Sequence, residues 1–532
     1  MKNYLKNLVK EALLKLDFQD EIEINIEVPT KKGFGEYTTN VALMSAKLVG
    51  MNPRDFATKL AQNINDEKIE KIEVAGPGFI NFYLKNDYLY ENLNKIITDD
   101  NYGSSNYGNN KKVEIEYVSA NPTGTLHLGH ARGAAYGDSL ARIMKYAGYD
   151  VTREYYINDG GNQINNLTNS IIARYKELKG EPVEFPEDGY HGVEIIELAK
   201  EILAKYPEGL SLDVAKEYGM NYLLNNIKRD LKNFNVEFDI WFSEKSLYDK
   251  GEVDNVLKLL GEKGYTYESE GAVWLKTSEF GDEKDRVLVK NDGNYTYLLP
   301  DIAYHMNKYS RGYDELIDVF GADHHGYIPR LKASIAMFGE DPNKLDVEIL
   351  QMVRLLKSGE EIKMSKRTGK VVTLNELVEE VGLDATRYIF TSRSLDTQLD
   401  FDMDIATKHN NENPVYYIQY AYARISSILS DYNHEIRELE YHNLNSTYVL
   451  DILKKMYEFT DIVNASAERH MPHLITNYVY DLATLFHTFY AHEHVLTDDE
   501  VKTEEYINLI KAVSIVIRKA LELIGVQVHE KM

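Results

Sequence analysis

The sequence predicts a multidomain α/β protein: a Rossmann-like parallel sheet with an insertion, an N-terminal α+β domain before it and an all-α helical bundle after it. Three observations predict it. A strand, turn, helix and strand succeed one another over residues 113–157; strand-like runs resume after about residue 285; strand alternation stops at about Asn413. A chain of 532 residues also exceeds one ordinary core, so several domains are expected.

Taken in order, the N-terminus places Leu5, Leu8, Val9, Ala12, Leu13 and Leu16 on one face of a helix. Glu11, Asp17 and Asp20 and the lack of a small-residue cleavage site argue against a signal peptide. This helix opens a first domain with its linker, 1–109, where 75–84 reads as a Gly/Pro turn into an alternating strand and the polar stretch 98–112 reads as the linker. The Rossmann-like domain is assigned to 110–165 and 285–412. Its strand 113–118 precedes Leu128, Ala131, Ala135, Leu140, Ile143 and Met144 near helical spacing, a stop at Gly148, and a parallel strand at 151–157. Residues 166–284 read as the insertion, helical and acidic, with a hairpin around Trp274. The sheet is expected to resume at 295–299 and 316–320, and 413–532 to be helical throughout.

With no cysteine, disulfides, thiolate zinc sites and cysteine nucleophiles are excluded together. A net charge of −25 argues against a general nucleic-acid coat, so such a partner requires basic and aromatic groups gathered locally. No apolar run approaches the ~18 residues of a membrane span, and a cytoplasmic location is expected.

Two short motifs carry chemistry. The turn Pro122-Thr123-Gly124 leads into a helix start bearing His127-Leu128-Gly129-His130, whose unpaired N–H groups attract anions and whose Gly129 leaves room for a nucleotide. The loop Lys363-Met364-Ser365-Lys366 lies 236 residues beyond His127, between Gly359 and Gly369, and Lys366 suits the β/γ-phosphates. Each has a plain alternative, a helix cap for the histidines and a solvated turn for the lysines. Together they indicate ATP.

This HxGH and KMSK pair, with an insertion between and a helical tail after, resembles the class I aminoacyl-tRNA synthetases. The runs 116–124, 156–163, 285–288, 297–305, 321–326 and 413–421 and the terminal Lys531-Met532 resemble arginyl-tRNA synthetases over essentially the whole chain. Arg367 stands where the family has serine. Many members lack the second loop lysine and carry a compensating one just before the HxGH; here Lys366 is present and Gly124 holds the upstream position.

The resemblance implies an ATP-dependent arginine–tRNA ligase, monomeric, using Mg²⁺ without a resident protein metal site, with L-arginine, ATP and tRNA(Arg) as partners. It implies His127, Gly129, His130, Lys363 and Lys366 as catalytic, and Pro122, Thr123, Gly124, His127, Gly129, His130, Met364, Ser365 and Lys366 around ATP. Arginine is assigned to Glu116, Ser119, Asn121, His130, Tyr297, Asp301 and His324. Transfer RNA is assigned to Phe34, Tyr37, Asn40 and Phe79 in the first domain and to Tyr417, Tyr420, Tyr490 and Met532 in the tail. The resemblance implies Glu116, Tyr297 and Asp301 as contacts to the arginine side chain, and Glu116 in an apolar strand resists a plain structural reading, since an unpaired buried carboxylate is costly; for Asp301 the plain alternative is a helix cap after Pro300. A synthetase for another amino acid, a tRNA-binding module without ligase activity and a small-molecule adenylyltransferase are the alternatives.

Overall fold

Leu5, Val9, Ala12 and Leu13 are buried along one side of α1 (Lys2–Lys15), as their spacing predicts. The structure is a computed structural model that describes all residues except 19–21, 30–32, 363–371 and 433, with backbone alone at 161–162. It divides into two units, Met1–Thr98 with Arg437–Leu444, and Asp99–Ile436 with Asn445–Met532.

The first unit continues with β1 (Tyr37–Thr39), α2 (Val41–Val49), α3 (Pro53–Gln62), β2 (Ile69–Ala75), β3 (Phe79–Leu84) and α4 (Asp87–Thr98), its antiparallel sheet ordered β1–β3–β2. The turn before β3 presses on the chain at Pro53: a Cβ on Gly78 (φ +142°) would lie 3.0 Å from the Pro53 carbonyl oxygen. Residues 437–444, expected in the helical tail, belong to this unit instead. Asn94 donates to the Leu439 carbonyl (2.9 Å) and accepts from Tyr441 Oη (2.7 Å), fastening that segment to α4.

The second unit begins with β4 (Lys112–Glu116), α5 (Leu128–Tyr146), β5 (Asp150–Ile157), α6 (Gly161–Leu178), α7 (Val193–Lys205), α8 (Leu212–Asn233), β6 (Ile240–Ser243), α9 (Lys245–Asp249) and α10 (Glu252–Glu262). The hairpin strands β7 (Thr266–Ser269), β8 (Ala272–Leu275) and β9 (Arg286–Val289) follow, then α11 (Leu298–Ser310), β10 (Glu315–Gly321), α12 (Ile328–Met337) and β11 (Leu345–Leu350). The parallel sheet is ordered β11–β10–β4–β5–β6.

Two expectations are corrected here. The segment assigned wholly to an insertion supplies the edge strand β6, held to β5 by cross-strand aromatic pairs, Tyr155 on Trp241 with centroids 4.5 Å apart. Residues 295–299 do not form a strand. Tyr295 bridges Val289, but Leu298, Leu299, Ile302 and Ala303 recur at helical spacing and are buried on α11, whose first turn accommodates Pro300. In the stretch read as the linker, the N–H groups of Ser105, Gly108 and Asn110 donate to the carbonyls of Tyr146, Ala147 and Gly148 at 2.8–3.1 Å.

The chain continues through β12 (Val353–Lys357), β13 (Glu360–Glu361), α13 (Leu374–Val381), α14 (Leu383–Thr391), β14 (Leu399–Asp402) and α15 (Met403–Ala406). It ends in α16 (Pro414–Asp431), α17 (Thr447–Tyr457), α18 (Phe459–Glu468), α19 (His473–His492) and α20 (Glu500–Leu523). Of these last helices, α18 and α20 pack directly on α5. Tyr136 of α5 donates to the His470 carbonyl (2.9 Å), while the His470 ring bridges Glu315 of β10 (3.2 Å) and Glu348 of β11 (3.0 Å). Burial opposes a charge on this ring, yet the two carboxylates push its pKa up to about 9. Among the described residues, no helix is long and apolar enough to cross a membrane.

Candidate active site

Parallel register sets the floor of the site. Glu116, the last residue of β4, lies opposite Glu154 on β5 and Asp318 on β10, so three carboxylates stand abreast across the sheet. Across them runs α11, presenting Asp301, Tyr304, His305, Lys308 and Arg311 at helical intervals. The fully buried Lys308 Nζ lies 2.5 Å from Glu116 Oε2, 2.7 Å from Asp318 Oδ1 and 3.5 Å from Glu114 Oε2. Tyr304 donates to Glu154 (2.8 Å), which also pairs with Arg311, and His305 Nε2 faces Asp318 at 2.8 Å. Glu114, wholly buried, has its carboxyl held well above the usual range by burial, with Lys308 opposing. Glu116, expected against the arginine side chain, is instead paired with an internal cation. Both its oxygens are engaged, Oε2 by Lys308 and Oε1 by the Ser119 hydroxyl (2.8 Å).

Beyond β4 the chain turns through two non-glycine residues in the left-handed region, Val118 (φ 69°) and Ser119 (φ 37°). Such conformations cost about 1–3 kcal/mol each and persist where the surroundings hold them. Here Ser119 donates to Glu116 and accepts from the Tyr156 N–H (3.1 Å), and Tyr155 Oη donates to the Ala120 carbonyl (2.7 Å). Asn121 follows and donates to Gln163 (2.7 Å).

Pro122, Thr123 and Gly124 carry the chain to His127, the N-cap of α5. His127 Nδ1 accepts from the Gly129 N–H (3.2 Å), His130 Nδ1 accepts from the His127 N–H (3.3 Å), and the rings stack with centroids 3.8 Å apart. With each Nδ1 an acceptor, the proton of either neutral ring sits on Nε2. The cap thereby sets the orientation of both rings.

This turn lines a cavity of about 570 Å³ together with Val118, Gly321, His324 and Met352. The cavity opens between the ends of β4 and β10, where the strand order reverses, the expected ligand crevice of an open parallel sheet. A Cβ on Gly129 would press on the His127 ring at 3.3 Å. Lys363, Met364, Ser365 and Lys366 lie outside the described residues. The flanking chain returns to this turn, since Leu374 N–H donates to the Leu126 carbonyl (2.8 Å) and Thr373 bridges His127.

A second cavity, about 840 Å³, is lined by Asn158, Gln163, Glu244, Tyr248, Tyr297 and Pro300 among others. Glu244, buried at the end of β6, has its carboxyl pushed up to about 7, chiefly by burial, with Asp301 and Asp159 adding repulsion and the Tyr156 hydroxyl opposing. Burial likewise raises Asp301 to about 6, against a hydrogen bond from Tyr327 and the fields of His305 and His324. A buried carboxyl, Glu244, repelled by the half-buried Asp301, is an environment that a cation would relieve. Asp301 is not the helix cap; Tyr297 holds that position, 73% exposed at the cavity rim. Glu244 was not foreseen because β6 was assigned outside the sheet.

The surfaces assigned to tRNA differ. Phe34 and Phe79 are exposed and Asn40 precedes α2, but Tyr37 is 5% exposed in β1 and offers no face for stacking. In the tail Arg424 sits between the rings of Tyr420 (4.7 Å) and Tyr490 (4.5 Å), and Tyr417 contacts Tyr480 and His487. Met532 lines a further cavity with Tyr416, which stacks on Tyr420. Arg424, Tyr416 and His487 are additions the sequence did not single out. Among the described residues, the one acidic and histidine trio at metal-ligand spacing is Glu315, Asp346 and His470, which lines neither cavity.

Family comparison agrees with this geometry. The chain matches the catalytic domain of class I tRNA synthetases (R) over residues 92–403, the arginyl-tRNA synthetase N-terminal domain over 3–84 and the DALR anticodon binding domain over 418–532. The chain belongs to the arginyl-tRNA synthetases. This synthetase is 49% identical to the arginine–tRNA ligase of Bacillus subtilis over 550 residues, covering 100% of the chain and 99% of the relative. It is 50% identical to that of Oceanobacillus iheyensis, covering 99% and 98%. The solved Thermus thermophilus arginyl-tRNA synthetase shares its fold, with a TM-score of 0.80 at 21% identity over 100% of both chains.

Proposed function

We infer that this synthetase joins L-arginine to tRNA(Arg) in two steps. An arginine carboxylate oxygen attacks the α-phosphorus of ATP in line, and the bond to pyrophosphate breaks, leaving arginyl-adenylate. The 2′-hydroxyl of the terminal adenosine of tRNA then attacks the acyl carbonyl, and AMP departs. The observation that carries the reading is the buried Glu244 carboxyl, which lines a cavity at the sheet's C-terminal edge with Tyr297 and stands in the field of Asp301, suited to a planar guanidinium.

Glu244, Asp301 and Tyr297 take the guanidinium, with Asn121 and His324 toward the amino-acid backbone; the Ser119 hydroxyl, engaged by Glu116 and the Tyr156 N–H, shapes the turn instead of taking arginine. The Nε2–H groups of His127 and His130 meet phosphate oxygens, and Lys363 and Lys366 are assigned to the departing pyrophosphate. The Leu374 N–H donates to the Leu126 carbonyl, so the chain that resumes after those lysines lies beside the HxGH turn, which supports that assignment. No step needs a protein nucleophile, so catalysis is positioning and electrostatic stabilisation. The nucleotide cavity does not fit a resident metal: Asp323 is the carboxylate among its described lining residues, so Mg²⁺ enters with the nucleotide phosphates and no step here runs through it. Phe34, Asn40 and Phe79 in the first unit and Tyr417, Tyr420, Tyr490 and Met532 in the tail meet the tRNA. The enzyme acts as a monomer in the cytoplasm, and activation requires bound tRNA.

Removing one charge-assisted partner costs about 2–3 kcal/mol, so Asp301→Asn raises the arginine KM by about 30- to 150-fold with the ATP KM unchanged. Unaltered arginine kinetics would rule the assignment out. Pyrophosphate exchange at full rate without tRNA would remove the tRNA requirement alone.

A further inference from the structure

The Val118–Ser119 turn lies between the two cavities. Val118 lines the nucleotide side, and Asn121, two residues after Ser119, bonds Gln163 on the arginine side. Two consecutive left-handed non-glycine residues do not hold themselves. The Ser119 hydroxyl is tied to Glu116 Oε1, and Glu116 is tied through Oε2 to Lys308, which contacts neither cavity. A buried ion pair is often no more stabilising than apolar side chains of the same volume. A fully buried ammonium at this point therefore needs a reason besides stability, and the chain from Lys308 to the turn supplies one.

We propose that Lys308 is a positioning residue for adenylate formation: through Glu116 and Ser119 it holds the Val118–Ser119 turn so that the amino-acid carboxylate and the α-phosphate meet in line. This rests on the arginine-activation reading above. The groups that bind arginine at Glu244 and Asp301, and phosphates at His127 and His130, stand on other contacts. Releasing the turn therefore leaves binding in place and spoils alignment, and a misplacement of about 1 Å costs about 100-fold in rate.

The test compares wild type, Lys308→Met, Ser119→Ala and the double variant by tRNA-dependent pyrophosphate exchange, with active sites counted by titration and folding checked by thermal unfolding. Each single substitution is expected to lower kcat about 10- to 100-fold while the KM values for arginine and ATP stay within about threefold. The double variant is expected to be no slower than the slower single one, because both break one chain of contacts. The proposal is overturned if the loss appears in the arginine KM with kcat unchanged, or if the two losses multiply. Should Lys308→Met fail to fold, Ser119→Ala decides alone: a kcat loss supports the proposal, a wild-type kcat overturns it. Wild type that activates no arginine would instead overturn the substrate reading, whereas arginine activation unaltered by either substitution would overturn only the role of Lys308.

Discussion

Arginine binding to this synthetase should collapse in mild acid. Glu244 and Asp301 are raised to about 7 and about 6, each chiefly by burial. An entering guanidinium requires both ionised, so binding releases protons and affinity follows the ionised fractions. The sign is therefore fixed: affinity is full above about pH 8 and is lost as pH falls through about 7 and then about 6. For independent groups the loss is about twentyfold at about pH 6 and about a thousandfold at about pH 5. The guanidinium itself stays charged throughout. The assay is calorimetric titration of arginine into enzyme holding tRNA and an unreactive ATP analogue, with Glu244→Gln as the control. That variant should lose affinity at about pH 8 and show only the lower, roughly twofold step at about pH 6. An arginine Kd constant within about twofold from about pH 8 to about pH 6 would refute the reasoning, because it would mean that these carboxyls do not face the ligand.

The His470 clasp titrates in the opposite sense. A histidine raised from 6.5 to about 9 contributes about 3 kcal/mol that is fully present below about pH 6.5 and lost as pH rises through about 9, so denaturation of wild type and His470→Gln should differ by that amount at about pH 6.5 and converge by about pH 10; a pH-independent difference would contradict it. A Cβ on Gly137 of α5 would clash with the fully buried Tyr117 ring, so Gly137→Ala should cost about 1–3 kcal/mol in thermal unfolding, and an unchanged Tm would show that the helix is free to shift.

What was legible in the sequence was local. The strand before the HxGH turn, the capped helix after it and the helical tail each declare themselves through spacing within a dozen residues. The edge strand β6 did not, because four residues are too few to show alternation and its partner β5 lies beyond three intervening helices. Residues 295–299 misled because tyrosine, threonine and leucine suit a strand as isolated types; the helix is decided by where Ile302 and Ala303 fall after Pro300. The acidic row of Glu154, Glu116 and Asp318 was invisible, since the register between strands is a property of the sheet and not of any one segment. That is also why Lys308, an ordinary lysine in sequence, turned out to answer Glu116. Tyr37 shows the same limit: an aromatic in a short strand carries no mark of which face is buried.

The most direct measurement is charging of total tRNA by the purified enzyme with each of the twenty amino acids in turn. The account predicts ATP-dependent attachment of arginine alone, accepted by tRNA(Arg). Charging of a different amino acid, or of none while the enzyme is folded and binds ATP, would contradict it.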